Sequence, residues 1–339
     1  MPDSWKSQLQ QRLQGTHDFS ARFGLSLDPR LEDRLSLGVT PYYAELCAQH
    51  PALLKTILPD ARELEFGVHE LADPMAEEPD SPVPAVVRRY PNRALLLLSP
   101  HCPVYCRYCT RSRKVGKASS KLGPADWAQG IQWIAEQPQI EEVILSGGEP
   151  LMLSDEALGS VLSALQEIPH LRFLRFSSKA PAVLPQRITP DLAKLLGRFR
   201  PLMNLHFTHP AELTPETILA LSRLHEAGVL LASQTVLLKG VNDEVSVLAE
   251  LFKGLMERQV RPYALYLCDW ITGAGHFRVG PSRALALMEQ LRRELSGPML
   301  PRLIADPPGG KAEVGPGLRR SNEGVWLINW KGEEVLWPE

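Results

Sequence analysis

The sequence predicts an α/β fold built on a parallel sheet, and three observations predict it. Six short apolar or β-branched runs recur along the chain, at 94–99, 143–146, 173–177, 204–207, 230–238 and 263–268. Segments with helical periodicity separate them, and two motifs rich in cysteine or glycine fall directly after the first two runs. Short apolar strands alternating with helices are the pattern of βα repeats, because parallel neighbours need a crossover between them.

The intervening helices announce their ends. Leu158, Val161, Leu162 and Leu165 fall at i, i+3, i+4 and i+7, with Ser154 and Asp155 at the start and Pro169 beyond the end. Another helix opens with Thr214 as N-cap and Pro215 in the first turn, and closes at Gly228. Two extensions flank the repeats. Residues 1–80 read as a helical N-terminal extension that runs into a Pro- and acid-rich connecting arm, LADPMAEEPDSPVPA. The repeats themselves occupy 81–296, and 297–339 forms a C-terminal piece in which VWLINWKGEEVLW alternates around KGE as a hairpin. Its Trp326, Trp330 and Trp337 are expected to pack rather than to form a site.

Composition narrows the function classes. With 339 residues, 44% of them hydrophobic, the chain can bury a full core as one large α/β barrel or two domains. A net charge of −2 without long runs of one sign argues against nucleic acid and against a polybasic membrane anchor. No apolar stretch reaches the length of a membrane span, and the polar start MPDSWKSQLQQRLQG lacks the apolar core of a signal peptide. The expectation is a cytoplasmic protein acting on a small molecule.

Chemistry collects after the first strand. Cys102, Cys106 and Cys109 lie within HCPVYCRYCTR, whereas Cys47 and Cys268 stand alone. Three close thiolates suit an iron–sulfur cluster with one iron left for an exogenous ligand. A structural zinc site would want a fourth ligand, and a disulfide framework suits neither five cysteines in 339 residues nor a reducing compartment. The segment SGGEP, Ser146 to Pro150, follows the second strand, so both motifs sit at strand C-termini, where α/β folds place their sites. Alone, Gly147 and Gly148 before Glu149 read as a tight turn. One βα unit behind a three-cysteine loop, they read as a place where backbone approaches a ligand.

With CxxxCxxC on the first βα loop and GGEP on the second, the chain resembles the radical S-adenosylmethionine enzymes. The resemblance implies a partial (β/α)6, TIM-like barrel. It also implies a [4Fe-4S] cluster on Cys102, Cys106 and Cys109, with S-adenosyl-L-methionine completing the vacant iron beside Ser146, Gly147, Gly148 and Glu149. Tyr108 matches the aromatic position along the adenine. A narrower similarity runs from RRYPNR (88–93) to the end, through YCRYCTR, VLPQRITP (183–190), NLHFTHP (204–210), QTVLLKGVND (234–243), YLCD (266–269), GHFR (275–278) and DPPGGK (306–311). These blocks are similar to the lysine 2,3-aminomutase family, which also carries pyridoxal 5'-phosphate.

That similarity assigns expected roles. Lys311 would carry the pyridoxal aldehyde, with Arg89 and Arg93 on its phosphate and Tyr266 beside its ring. Arg111 matches the arginine for the substrate α-carboxylate, and Asp269 and Asp306 match the pair that complements a distal ammonium. Ser178, His206 and Gln234 match positions on the adenosylmethionine side. The implied activity is radical 2,3-amino migration, with L-lysine as substrate, β-lysine as product, and a flavodoxin or ferredoxin as electron donor. Three departures bear on it: DPPGGK is two residues shorter than the usual block, Trp270 replaces a smaller apolar residue, and WPE stands where longer relatives continue into a cysteine-bearing tail. Homo-oligomerisation is therefore left open. The alternatives are a mutase for an elongation-factor lysine, a mutase for another amino acid such as arginine, and a structural metal-binding protein.

Overall fold

The structure, a computed structural model, describes residues 4–339, so the first three residues of the N-terminal extension lie outside it. Its main sheet runs β1 (Val86–Tyr90), β2 (Arg93–Ser99), β3 (Glu142–Gly147), β4 (Phe173–Ser178), β5 (Leu202–His206), β6 (Leu230–Leu237), β7 (Arg261–Leu267), β8 (Arg302–Ala305) and β9 (Ala312–Glu313). The strands lie side by side in chain order. From β2 to β8 every pairing is parallel, while β1 and β9 are antiparallel edges. All six runs anticipated from sequence are present as β2 to β7. Sequence reading passed over β1 and β8, because VVRRY breaks its alternation with paired arginines and RLIA is a four-residue piece between prolines.

The sheet curls without closing. No ladder joins β1 to β9, yet the two edges meet through side chains. The Lys311 amide donates to the Tyr90 hydroxyl at 3.1 Å, Arg89 reaches Asp306 at 3.1 Å, and the Tyr90 and Trp330 rings meet edge-on at 5.1 Å. This is the expected partial barrel, with a side-chain seam where a closed barrel has hydrogen-bonded strands.

Helix ends form as their residues dictate. Ser154 accepts from the Ala157 amide and caps Asp155–Gln166, whose buried face is Leu158, Val161, Leu162 and Leu165. Thr214 accepts from the Thr217 amide to cap Pro215–Glu226, and Gly228 takes the left-handed turn that follows. Both helices pack on the sheet around Leu96, Leu145, Phe176, Leu205 and Leu265, all inaccessible. Each such side chain contributes about 1.5–3 kcal/mol by leaving water.

The N-terminal residues join this same core. Phe19, Tyr43, Cys47 and Leu53 pack in one cluster with the strand residues. The acid-rich stretch expected as a connecting arm instead straps the C-terminal end of the sheet: Asp73 pairs with Arg113 at 2.8 Å, Glu77 with Arg111 at 2.6 Å and Asp80 with Arg89 at 3.2 Å. Carboxylates that composition reads as solvating find buried guanidinium partners once the barrel loops face them. At the other terminus the hairpin forms, pairing Gly324–Ile328 with Glu334–Pro338. Trp337 is buried, Trp326 lies beneath Arg319, and Trp330 covers Tyr90 at the seam.

Candidate active site

The cysteine loop leaves β2 and is held by backbone. Its return strand is the Gly-Gly segment: the Gly148 amide donates to the Ser99 carbonyl at 2.5 Å, and the Glu149 amide to the His101 carbonyl at 2.9 Å. Gly147 has φ +126°, and a β-carbon there would stand 2.5 Å from the Ser99 oxygen; one at Gly148 would stand 2.7 Å from that of His101. The glycines are thus required by the neighbouring loop, whereas sequence reading assigned their close approach to a ligand.

Cys102, Cys106 and Cys109 are half-buried and unpaired, and Cys102 and Cys109 pack against Leu35, Tyr105 and Val115. Burial raises all three thiols, that of Cys109 to about 11, and neighbouring thiolate charge adds to the effect at Cys102 and Cys109. Iron binding here must release those protons. Among the described residues no three Cys, His, Asp or Glu converge to hold a single ion. A four-iron cluster needs no such convergence, because each thiolate takes a different iron, whereas tetrahedral zinc does. The donor set fits the cluster.

Two expected ligand groups are spent within the protein. Glu149 is buried and accepts from Ser178 Oγ at 2.8 Å and from the amides of Leu151, Lys179 and Ala180 at 3.1, 2.8 and 3.1 Å. Burial raises its carboxyl and those four donors oppose the rise. Glu149 and Ser178 therefore act as a strut between β3 and β4. Gly147 already offers its carbonyl to Arg111 Nη1 at 3.1 Å.

Arg111 is oriented on two edges. Its Nε donates to Glu77 Oε1 at 2.8 Å, Nη2 lies 2.6 Å from the same oxygen, and Nη1 donates to Ser146 Oγ at 3.1 Å. Glu77, from the strap, was not anticipated as a site residue. Its acid-rich context gave no signal, since only folding brings it to Arg111. Because Nη1 also donates to the Gly147 carbonyl, the guanidinium retains a single Nη2 N–H for a carboxylate.

Across the mouth, His206 and Gln234 end neighbouring strands in register, with Gln234 Nε2 and His206 Nε2 2.5 Å apart. Burial, then the charges of Lys179, Arg111 and Lys311, depress the imidazole to about 3, so it is neutral at physiological pH and accepts from the amide. Tyr108, on the cysteine loop, contacts Thr208 Oγ1 at 3.0 Å and meets Phe277 edge-on at 6.0 Å.

The second half lies on the seam. Lys311 Nζ donates to the Tyr266 hydroxyl at 2.7 Å. Desolvation opposes the lysine charge, but Tyr266 and Asp306 outweigh it and hold the ammonium above its ordinary range. Gly309 and Gly310, both at positive φ, make the turn before it, which Asn329 of the hairpin pins through the Pro308 carbonyl at 2.9 Å. Arg93 lies over the Tyr90 ring at 3.7 Å, touching only the Asn92 side chain at 3.3 Å, and so keeps donors for a phosphate. Arg89 differs from expectation. It is held between Asp80 and Asp306, because burial of Asp306 demands a counter-charge. A lysine amine with a phenol partner and a free arginine nearby fit pyridoxal phosphate.

Asp306 and Asp269 close the pocket. Burial raises both carboxyls; at Asp269 the charge of Asp306 adds to it, while Lys311 and Arg89 pull Asp306 back. Asp269 Oδ1 is buried with no hydrogen-bond partner, an acceptor held out for a donor that the chain does not supply. Trp270 turns away from it, beneath the Arg278 guanidinium at 3.8 Å and against His69 and Trp337.

The chain is similar to known proteins over most of its length. The Radical SAM superfamily pattern matches residues 96–252. An L-lysine 2,3-aminomutase of Fusobacterium nucleatum is 38% identical over 350 aligned residues, covering 99% of this chain and 82% of the relative. Another of that name from Clostridium subterminale is also 38% identical, over 99% of this chain and 84% of the relative. A glutamate 2,3-aminomutase of Clostridioides difficile is 35% identical over 88% of this chain and 72% of its own length.

Proposed function

This chain belongs to the lysine 2,3-aminomutase family of radical S-adenosylmethionine enzymes, and on that premise we propose that it converts L-lysine to β-lysine. The observation that carries the choice of substrate is the buried, unpartnered Oδ1 of Asp269 beside Asp306. Arg89 already answers the charge of Asp306, whereas Asp269 has no such partner and calls for a cation. The ε-ammonium of lysine meets that demand, and the side chain of glutamate would add a third negative charge.

When bound, the [4Fe-4S] cluster with S-adenosylmethionine supplies reversible hydrogen-atom abstraction, and pyridoxal phosphate supplies the conjugated carbonyl that carries the migrating nitrogen. The protein's part is positional. Glu77, Ser146 and Gly147 fix the Arg111 plane, so its remaining Nη2 N–H receives the α-carboxylate. Asp269 and Asp306 take the ammonium, and the two grips set the β-carbon between the cysteine loop and the seam. Tyr266 and Asp306 stabilise the Lys311 ammonium, and the Tyr266 hydroxyl, accepting from Nζ, fixes where that amine points. Neutral His206, oriented by Gln234, adds no charge beside the sulfonium.

The three parts of the chain divide this work: 1–80 clamps and straps the loops, 81–296 carries the cluster and adenosylmethionine side, and 297–339 supplies Asp306 and Lys311. A cytoplasmic one-electron carrier such as a flavodoxin or ferredoxin would reduce the cluster; no helix among the described residues is long and apolar enough to cross a membrane. The test is anaerobic reconstitution with iron and sulfide, followed by pyridoxal phosphate, S-adenosylmethionine, dithionite and L-lysine, with α- and β-lysine separated by chromatography. Catalytic β-lysine is expected. Formation of 5′-deoxyadenosine without β-lysine would keep the radical machinery and remove lysine as substrate.

A further inference from the structure

Beside the cysteine loop lies a half-buried cation with no counter-ion among the described residues. Arg12 follows the helix Trp5–Gln10, and its guanidinium is stacked on the Tyr105 ring at 4.1 Å. Its Nε and Nη2 are buried, and neither has a hydrogen-bond partner. The opposite face is closed by Gly38, where a β-carbon would overlap Nη2. Gly38 also fixes the ring, since its carbonyl accepts from the Tyr105 amide at 3.0 Å. Tyr105 belongs with Leu35 and Val115 to the cluster against which Cys102 and Cys109 pack, so the guanidinium lies beside the loop that carries the thiols.

Burying a guanidinium without an acceptor is costly, and natural chains do it where the acceptor arrives with a ligand. The other buried arginines of this region show the contrast: Arg107 spends its donors on Glu63 and the Leu35 carbonyl, and Arg34 on Glu63 and the Thr272 carbonyl. Of these three, Arg12 alone keeps two buried donors without a partner.

We infer that Arg12 is the counter-ion of the iron–sulfur cluster, its Nε–H and Nη2–H donating to cluster or thiolate sulfur and easing reduction. The inference rests on the cluster assigned above. Reduction adds one negative charge to an already anionic site, and hydrogen bonds and net charge at the sulfurs set the potential. Arg12 is thus a positioning and tuning residue, not one that touches substrate.

The test measures the reconstituted full chain by iron analysis and by redox titration of the reduced cluster's electron paramagnetic resonance signal, neither of which needs turnover. Arg12→Gln is expected to lower the midpoint potential by about 59 mV, a tenfold change in a one-electron equilibrium. Arg12→Lys, which keeps the charge and loses the planar fork, should recover part of it. Gly38→Ala, which keeps the charge but displaces the guanidinium, should shift the potential the same way if Arg12→Gln fails to fold. A wild-type potential in either Arg12→Gln or Gly38→Ala, at full iron occupancy, would overturn the inference and leave Arg12 as packing. Wild-type protein that takes up no iron would instead bring down the cluster assignment beneath it.

Discussion

The cysteine-loop half and the Lys311 half of the mouth are built on opposite principles. Around the loop most buried polar groups are satisfied from within: Glu149 takes four donors, and Arg107 and Arg34 share Glu63. On the seam side the protein leaves demands open, with Asp269 Oδ1 unpartnered and two carboxylates buried together. The first half is a frame that must hold a cluster in one place. The second is a set of charges that substrate completes, and its cost is charged to the empty enzyme.

This contrast can be broken from either side. The largest effect is expected from Lys311→Ala, which should abolish both β-lysine formation and the absorbance of bound pyridoxal while leaving iron content unchanged. Loss of iron as well would show that the halves are not separable. Next, Glu63→Ala strands two buried guanidinium groups on the loop side and should cost about 3–5 kcal/mol in denaturant unfolding.

Asp269→Asn should separate the halves by sign. It removes a grip on the ammonium, costing about 2–4 kcal/mol in kcat/KM for lysine, yet it should stabilise the substrate-free protein. Because burial and Asp306 raise the Asp269 carboxyl, the folded state binds more protons than the unfolded chain above about pH 4, and stability declines as pH rises through that window. The mutant lacks this decline, so its melting temperature should exceed wild type by more at pH 8 than at pH 5. A constant difference would mean that Asp269 is not strained. Smallest, Gly148→Ala presses a β-carbon on the His101 carbonyl and should cost about 1–3 kcal/mol, with faster iron loss to a chelator.

Much of the frame was legible in advance. Six of the seven parallel strands were visible because a buried strand must be apolar along its length, and Ser154 and Thr214 were readable as caps because capping is local. The cysteine triplet and the Lys311 block were readable because spacing within one loop is preserved on folding. Less legible were groups whose role depends on a distant partner. Glu149 and Ser178 looked like ligand contacts and turned out to bond each other across two strands. Arg89 looked like a phosphate donor and is held by Asp80 and Asp306. Residues 71–85 looked like a connecting arm and strap Arg111 and Arg113 through Glu77 and Asp73.

The sequence by itself determined the parallel sheet, the loop that presents three cysteines, the family, and hence the three cofactors. Tertiary structure alone decided which arginine N–H remains for the substrate, which carboxylate oxygen waits for a cation, and that Arg12 lies half-buried beside the cysteine loop. The physical reason is one of range. Helix caps, strand burial and motif spacing are set by neighbours a few residues away, whereas a buried charge is defined by what faces it, and Glu77, Asp306 and Gly38 reach their partners only when the two edges of the sheet and the N-terminal helices come together.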